Sequence, residues 1–268
     1  MVKAAKELWE YRELIYNLVL RDLKVRYKNS FLGVIWSWLN PLLMMIVFTF
    51  VFSILRGESM RDFHIFVLSA LLPWNFFSGA VMGGIHSITG NGHLIKKVYF
   101  PREILPIATI LSSLVNFLIA LPVLFILALI SGVPLNPWML LLPIPILVET
   151  LFALGIVLVL STLEVFYRDT HMLMEVAMQA WFFLTPIFYP VEQLPQQVLL
   201  LGQVINPRRL IFWVNPMASI VNTYQDILYR GAFTSLDFLA RTAVTALLIL
   251  GLGYGFFLHY SGRFGEEV

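Results

Sequence analysis

The side chains able to do acid–base or metal chemistry do not converge in this sequence. Of five histidines, His86 and His93 stand seven apart with no third ligand at metal spacing. The sixteen acidic residues are scattered, with no DxxD-like pair to hold a divalent ion. Cysteine is absent, which removes disulfides, thiolate metal sites and cysteine nucleophiles. Glu149 is singular: it lies midway along WMLLLPIPILVETLFALGIVLVL, where an ionised carboxylate is costly. It is expected to face a bundle interior or pair with a polar group, either as a functional acid or as a hydrogen-bonding residue at a subunit contact.

Two charged turns interrupt the apolar sequence. GHLIKKVYFPREIL carries a Phe100-Pro101 break followed by Arg102 and Glu103, a pattern that ends one helix and places an acid in the first turn of the next. LEVFYRDTHM places Arg168 and Asp169 after an aromatic pair. Lys96 and Lys97 also fit ordinary charge retention beside a membrane. Aromatic residues form the other chemical feature: Trp36, Trp38, Trp74, Phe77, Trp181 and Phe183 cluster near the ends of apolar segments. Such rings stack on flat apolar faces, those of sugars included, with little selectivity, as they do on successive nucleic-acid bases. An interfacial belt accounts for the same residues without a ligand.

The elements that must position these groups are membrane helices. The chain is 59% hydrophobic and 13% charged, with a mean hydropathy of +0.81, where soluble domains carry roughly a quarter charged residues. A net charge of +2, with its cations at membrane edges, gives no nucleic-acid surface. Crossing about 30 Å of hydrocarbon takes roughly 20 helical residues. Six segments approach that length: 31–55, 63–88, 104–130, 138–163, 172–189 and 236–260. One membrane domain, residues 1–268, is expected. Between the fifth and sixth segments, residues 190–235 hold short apolar stretches at 198–205 and 210–214, broken by NPRR and NP. Short helices that enter the membrane part-way or lie along its face are expected there, forming a gate on the extracytoplasmic side.

Lys3, Lys6, Arg12, Arg21, Lys24, Arg26 and Lys28 precede the first segment, Lys96, Lys97 and Arg102 lie in the second connection and Arg168 in the fourth. The other side is sparser for its length, so both termini are expected in the cytoplasm, with the basic stretch as an anchor there. Within residues 1–30, Leu8, Tyr11, Ile15, Val19, Leu23 and Tyr27 form an apolar stripe, and Glu10, Glu13, Asn17, Arg21, Lys24 and Lys28 follow the same period opposite. An amphipathic interfacial helix is the expectation, with a solvated pre-span segment as the alternative. Together these features predict an all-α integral membrane protein.

RDLKVRYKNSFLGVIWSWLNPLL, YFPREILPIATILSSLVNFLI, EVFYRDTHML, LTPIFYPVEQLP and NPMASIVNTYQDIL, in this order, resemble the successive motifs of ABC-2 type permeases that export polysaccharides and polyol phosphates, among them O-antigen, capsule and teichoic-acid exporters. The resemblance runs from about residue 15 to residue 230. Glu164 stands where the family more often has Asn, and Tyr167 where Phe is frequent. The resemblance implies a homodimer in the bacterial plasma membrane, joined to two copies of a separate ATPase subunit that binds ATP and Mg, with no cofactor and no catalytic residue in this chain.

It further implies that Phe100, Pro101, Arg102, Glu103, Arg168 and Asp169 belong to coupling segments docking on the ATPase. A lipid-linked glycan or polyol phosphate polymer would move past Trp36, Trp38, Trp74, Phe77, Trp181 and Phe183. No G-x-x-x-x-G-K-[ST] pattern occurs, and GNGHLIKK does not supply one. An ABC-2 exporter of drugs or small lipids is the main alternative. A polyprenyl-phosphate transferase would need clustered acids or histidines, and an ion-coupled carrier internal repeats and several intramembrane ionisable groups; the acids are scattered here and Glu149 is nearly alone.

Overall fold

The computed structural model describes residues 8–28, 30–56, 61–200, 203–234 and 236–268. The predicted anchor cations Lys3 and Lys6 lie outside these residues. The chain runs through helices α1 (Arg12–Tyr27), α2 (Trp36–Arg56), α3 (Phe63–Ile85), α4 (Gly92–Lys97), α5 (Ile104–Ile130), α6 (Pro143–Phe166) and α7 (Thr170–Leu184). A small antiparallel hairpin follows, β1 (Val198–Leu200) with β2 (Gln203–Ile205), in which Leu199 pairs with Val204. Helices α8 (Pro207–Val214), α9 (Pro216–Gln225), α10 (Leu236–Ser261) and α11 (Phe264–Glu267) complete it.

Helix α3 is the axis. It packs against α2, α5, α6, α7 and α9, so nearly every direction around it meets another helix. Its long apolar sequence is therefore buried all round, apart from a strip at Asn75, Gly79 and Gly83. Helices α6 and α10 touch through backbone: a Cβ on Gly253 would sit 2.2 Å from the Gly155 carbonyl oxygen. In a hydrocarbon solvent, small residues at a crossing let two helices gain dispersion contacts that bulkier side chains would block.

Among the described residues, five helical segments are long and apolar enough to cross a membrane: Gly33–Phe52, Phe63–Ile85, Ile104–Ile130, Pro137–Phe166 and Asp237–Ser261. The 172–189 segment is helical only through α7, whose 15 residues rise about 22 Å. Thr185 turns extended, and residues 185–190 continue without helix.

The 190–235 connection differs from expectation in where it is inserted. Residues 198–200 and 203–205 pair as strands rather than forming a helix, and α8 buries no residue. Helix α9 is the inserted piece, with Met217, Ile220, Val221 and Tyr224 in the main core. Asn206 and Asn215 cap α8 and α9, their side chains accepting from Arg209 N and Ala218 N, with proline at the first helical position of each. Asn-Pro thus starts a helix at each break, because the amide oxygen satisfies an orphan donor and proline has none to lose.

A second apolar cluster joins both ends of the chain. Leu18 of α1 and Phe264 of α11 are buried with Ile88, Phe100, Ile104 and Phe257. Helix α1 keeps Glu10, Glu13, Asn17, Arg21, Lys24 and Lys28 on its exposed side, as the period predicts, and sinks deepest at Leu18. It climbs α5 rather than lying apart from it, since the Tyr27 hydroxyl donates to Asn116 Oδ1 and Arg21 Nη1 to Asn91 Oδ1 at 2.9 Å. Helices α1 and α11 therefore pack at one end of the bundle, the terminal end.

Candidate functional site

The two charged turns meet at the terminal end. Helix α4 stops at Lys97, Val98 is extended, and α5 begins at Ile104. Phe100 and Glu103 are buried, and the Tyr254 hydroxyl reaches Glu103 Oε1 at 3.5 Å. The Arg102 guanidinium lies 5.9 Å from the centre of the Phe264 ring. The turn around Pro101 is thus held from within by α10 and α11, which differs from the expectation that Phe100, Arg102 and Glu103 all meet a partner. Outward-facing residues of this connection are Lys96, Lys97, Val98 and Tyr99, the last 96% exposed. Sequence reasoning missed Tyr99, although an aromatic residue beside a cationic loop was a visible signal.

Arg168 and Asp169 are exposed, as is Tyr167 before them. Behind them Glu164 is buried and bifunctional. Its Oε2 accepts from the His171 backbone N–H at 3.2 Å, and its Oε1 lies 3.3 Å from His86 Nδ1. The His86 and His171 rings stack at 4.5 Å. One carboxylate thereby ties together the ends of α3 and α6 and the start of α7, satisfying a backbone donor that the first turn of a helix leaves open. His93 is exposed and takes no part. No metal-holding group of three or more His, Asp or Glu occurs among the described residues.

Glu149 is wholly buried in α6, where its Oε2 accepts from the Tyr224 hydroxyl of α9 at 2.8 Å. Its other oxygen has no partner among the described residues. This contact is internal to one chain. The inserted helix is held at its start as well: Asn215 Oδ1 accepts from Trp181 Nε1 at 2.7 Å, while Asn215 Nδ2 donates to Thr185 Oγ1 at 3.1 Å. Outside it, Arg230 pairs with Asp226 at 2.5 Å and with Glu192 at 3.0 Å.

The six predicted lining aromatics separate into two groups. Trp74 is 5% and Phe77 0% exposed, with Phe77 stacked on Phe152 at 5.5 Å. Both lie on α3, whose neighbours close around them, so neither presents a face to a passing ligand; for these two the expectation is corrected. Trp36 and Phe183 are 46% and 58% exposed, Trp38 is exposed while donating to the Ile119 carbonyl at 2.7 Å, and Trp181 is half-buried. The sequence reading also passed over Glu175 and Gln179, polar residues exposed on α7, although both fall inside the predicted 172–189 segment.

Comparison with known proteins agrees with this architecture. The family model described as ABC-2 type transporter matches residues 13–229. An O-antigen export system permease protein RfbA of Myxococcus xanthus is 31% identical over all of both chains. A protein of the same name from Klebsiella pneumoniae is 27% identical, covering 95% of this chain and 94% of its own. The polysialic acid transport protein KpsM of Escherichia coli is 23% identical, covering 87% of this chain and 88% of its own. With a family match across most of its length and a relative aligned end to end, the chain belongs to the ABC-2 type transporter family.

Proposed function

We propose that the chain is the membrane subunit of an ATP-driven exporter of lipid-linked polysaccharide, acting as a homodimer in the bacterial plasma membrane. The single observation that carries this reading is the end-to-end similarity to an O-antigen export permease. Capsular and teichoic-acid polymers share the chemistry of a polar chain on a lipid carrier and belong to the same substrate class.

Helices α1 and α11 pack together at the basic end of the bundle, which supports six crossings with both ends in the cytoplasm; α7 and residues 185–190 make the fifth crossing. ATP and Mg bind on two copies of a separate ATPase, because the sequence lacks a phosphate-cradling loop. That motor pushes on the exposed Lys96–Tyr99 and Tyr167–Asp169 surfaces. Arg102 and Glu103 hold the turn in shape, and the Glu164 tie transmits the displacement to α3, α6 and α7 together. Polymer slides past Trp36, Trp38, Trp181 and Phe183, and the 190–235 region, anchored by α9, gates the far mouth.

Reconstitution tests the reading. The chain is expected to co-purify stoichiometrically with the ATPase subunit, and the pair to move lipid-linked glycan in proteoliposomes only with ATP. A permease that purifies without nucleotide-binding partner and supports no glycan movement with one would refute it.

A further inference from the structure

One cavity enters this reading only through Trp36 on its wall. It measures about 390 Å³ and opens between α1, α2, α3 and α5, with Arg26, Trp36, Asn40, Asn75 and Asn116 among its lining residues. Asn75 is the thirteenth residue of the 23-residue α3 and Asn116 the thirteenth of the 27-residue α5, so the floor reaches the middle of two spans. The Asn116 carbonyl oxygen is engaged, accepting from Ser37 Oγ at 2.7 Å and from Tyr27, but its Nδ2 finds no acceptor among the described residues. The side chains of Asn40 and Asn75 carry no hydrogen bond, and Arg26 no ion pair, among the described residues. Both asparagines are exposed and line the cavity.

Unsatisfied amides at that depth are unfavourable in hydrocarbon. Several converging on one hollow, with a cation at its rim and an exposed indole beside it, describe a site for a small polar ligand carrying negative charge. The volume falls at the small end of ligand pockets, about 300–1,000 Å³, which fits a sugar phosphate and excludes a polymer. The mouth lies beside the basic helix α1, where a lipid-anchored headgroup would arrive laterally.

We propose that this cavity binds the first glycosyl phosphate of the lipid-linked substrate. Arg26 pairs with the phosphate, Asn40, Asn75 and the Asn116 amide take ring hydroxyls, and Trp36 covers an apolar ring face. The assignment rests on the export reading above, and deepens it by giving the carrier-proximal unit its own recognition site, which shares Trp36 with the aromatic path and leaves the rest of the polymer to Trp38, Trp181 and Phe183.

The test uses the full chain with its ATPase in lipid nanodiscs and three probes: a prenyl diphosphate-linked monosaccharide, the same prenyl diphosphate without sugar, and a soluble sugar phosphate. Asn75→Leu is expected to weaken the sugar-bearing lipid about fivefold and leave the bare lipid unchanged, and Arg26→Gln to weaken both lipids about thirtyfold, as neutral and charge-assisted hydrogen bonds differ. Preference for the lipid-linked probe over the soluble one identifies the membrane as the source.

Because the native chain has no cysteine, Asn75→Cys gives a second readout that needs no affinity. A small thiol reagent should label it, the sugar-bearing lipid should protect it, and Leu135→Cys in the third connection should label equally with and without lipid. Labelling without protection, disulfide-linked dimers through residue 75, or unchanged affinity in both variants while wild-type export proceeds would overturn the cavity assignment alone. If wild type neither binds nor exports the lipid-linked probe, the export reading fails with it.

Discussion

The Tyr224 hydroxyl, on the helix inserted after the hairpin, donates to Glu149 Oε2 at 2.8 Å in the buried interior of the bundle. The pair is a polar link between α6 and α9. Removing one partner strands the other in a place without water, which costs about 1–3 kcal/mol, whereas replacing both by apolar groups is far milder. Glu149→Leu and Tyr224→Phe are each expected to lower thermal stability in detergent, and the double variant to lose less than their sum. Glu149→Gln, which keeps an acceptor, should stay near wild type. Strict additivity of the two single effects would show that the contact carries no coupling.

Glu164 should behave as a helix tie, since its carboxylate satisfies the His171 amide from the preceding helix. Glu164→Ala is expected to cost about 0.5–2 kcal/mol, the range for losing a capping acceptor. Hydrogen exchange at residues 170–173 should accelerate selectively. Glu164→Gln should restore most of the protection, and exchange that is equal in all three proteins would refute the role.

Helix α10 offers a paired test of backbone approach. Gly253→Ala would place a methyl 2.2 Å from the Gly155 carbonyl oxygen, and the helices must part to admit it. Gly251, two residues earlier, meets nothing within 4 Å. Gly253→Ala is expected to destabilise by about 1–3 kcal/mol, and Gly251→Ala to be neutral or stabilising because alanine favours the helix. The same melting temperature for both would contradict the close crossing.

Aromatic residues of one sequence class should separate by experiment as they do in space. Trp74→Ala leaves a void in the core and should cost about 3–5 kcal/mol. Trp36→Ala should leave the melting temperature within a degree or two while slowing glycan export. A stable Trp74→Ala protein with intact export, or a Trp36→Ala protein that unfolds, would reverse the assignment.

Much of the fold was legible because hydrocarbon imposes a strong rule. The third span is read from the sequence with the bounds it has in the structure, residues 104–130, since polar residues punctuate both its ends. The two Asn-Pro breaks likewise announce their helices. The burial of α9 was not legible, because Ser219, Thr223 and Gln225 make NPMASIVNTYQ look like a surface segment. Ser219 and Thr223 donate locally, to the carbonyls of Phe212 and Ser219, and Gln225 donates to the Pro186 carbonyl from the connection after α7, so each enters the core already satisfied. The 198–205 hairpin was missed for a different reason: short apolar runs carry no period by which to tell a strand from a helix. At the candidate site, charge and aromatic content were visible but direction was not. Trp74 and Trp36 have the same composition signal, and only the number of neighbours around their helices decides which is core.

The central claim is that this permease moves its cargo only when a separate motor drives it. The direct measurement is accumulation of lipid-linked glycan on the far side of proteoliposomes containing the permease alone, the permease with its ATPase, and the pair without ATP. The account predicts movement against a gradient only in the complete system with ATP; uphill movement by the permease alone would contradict it.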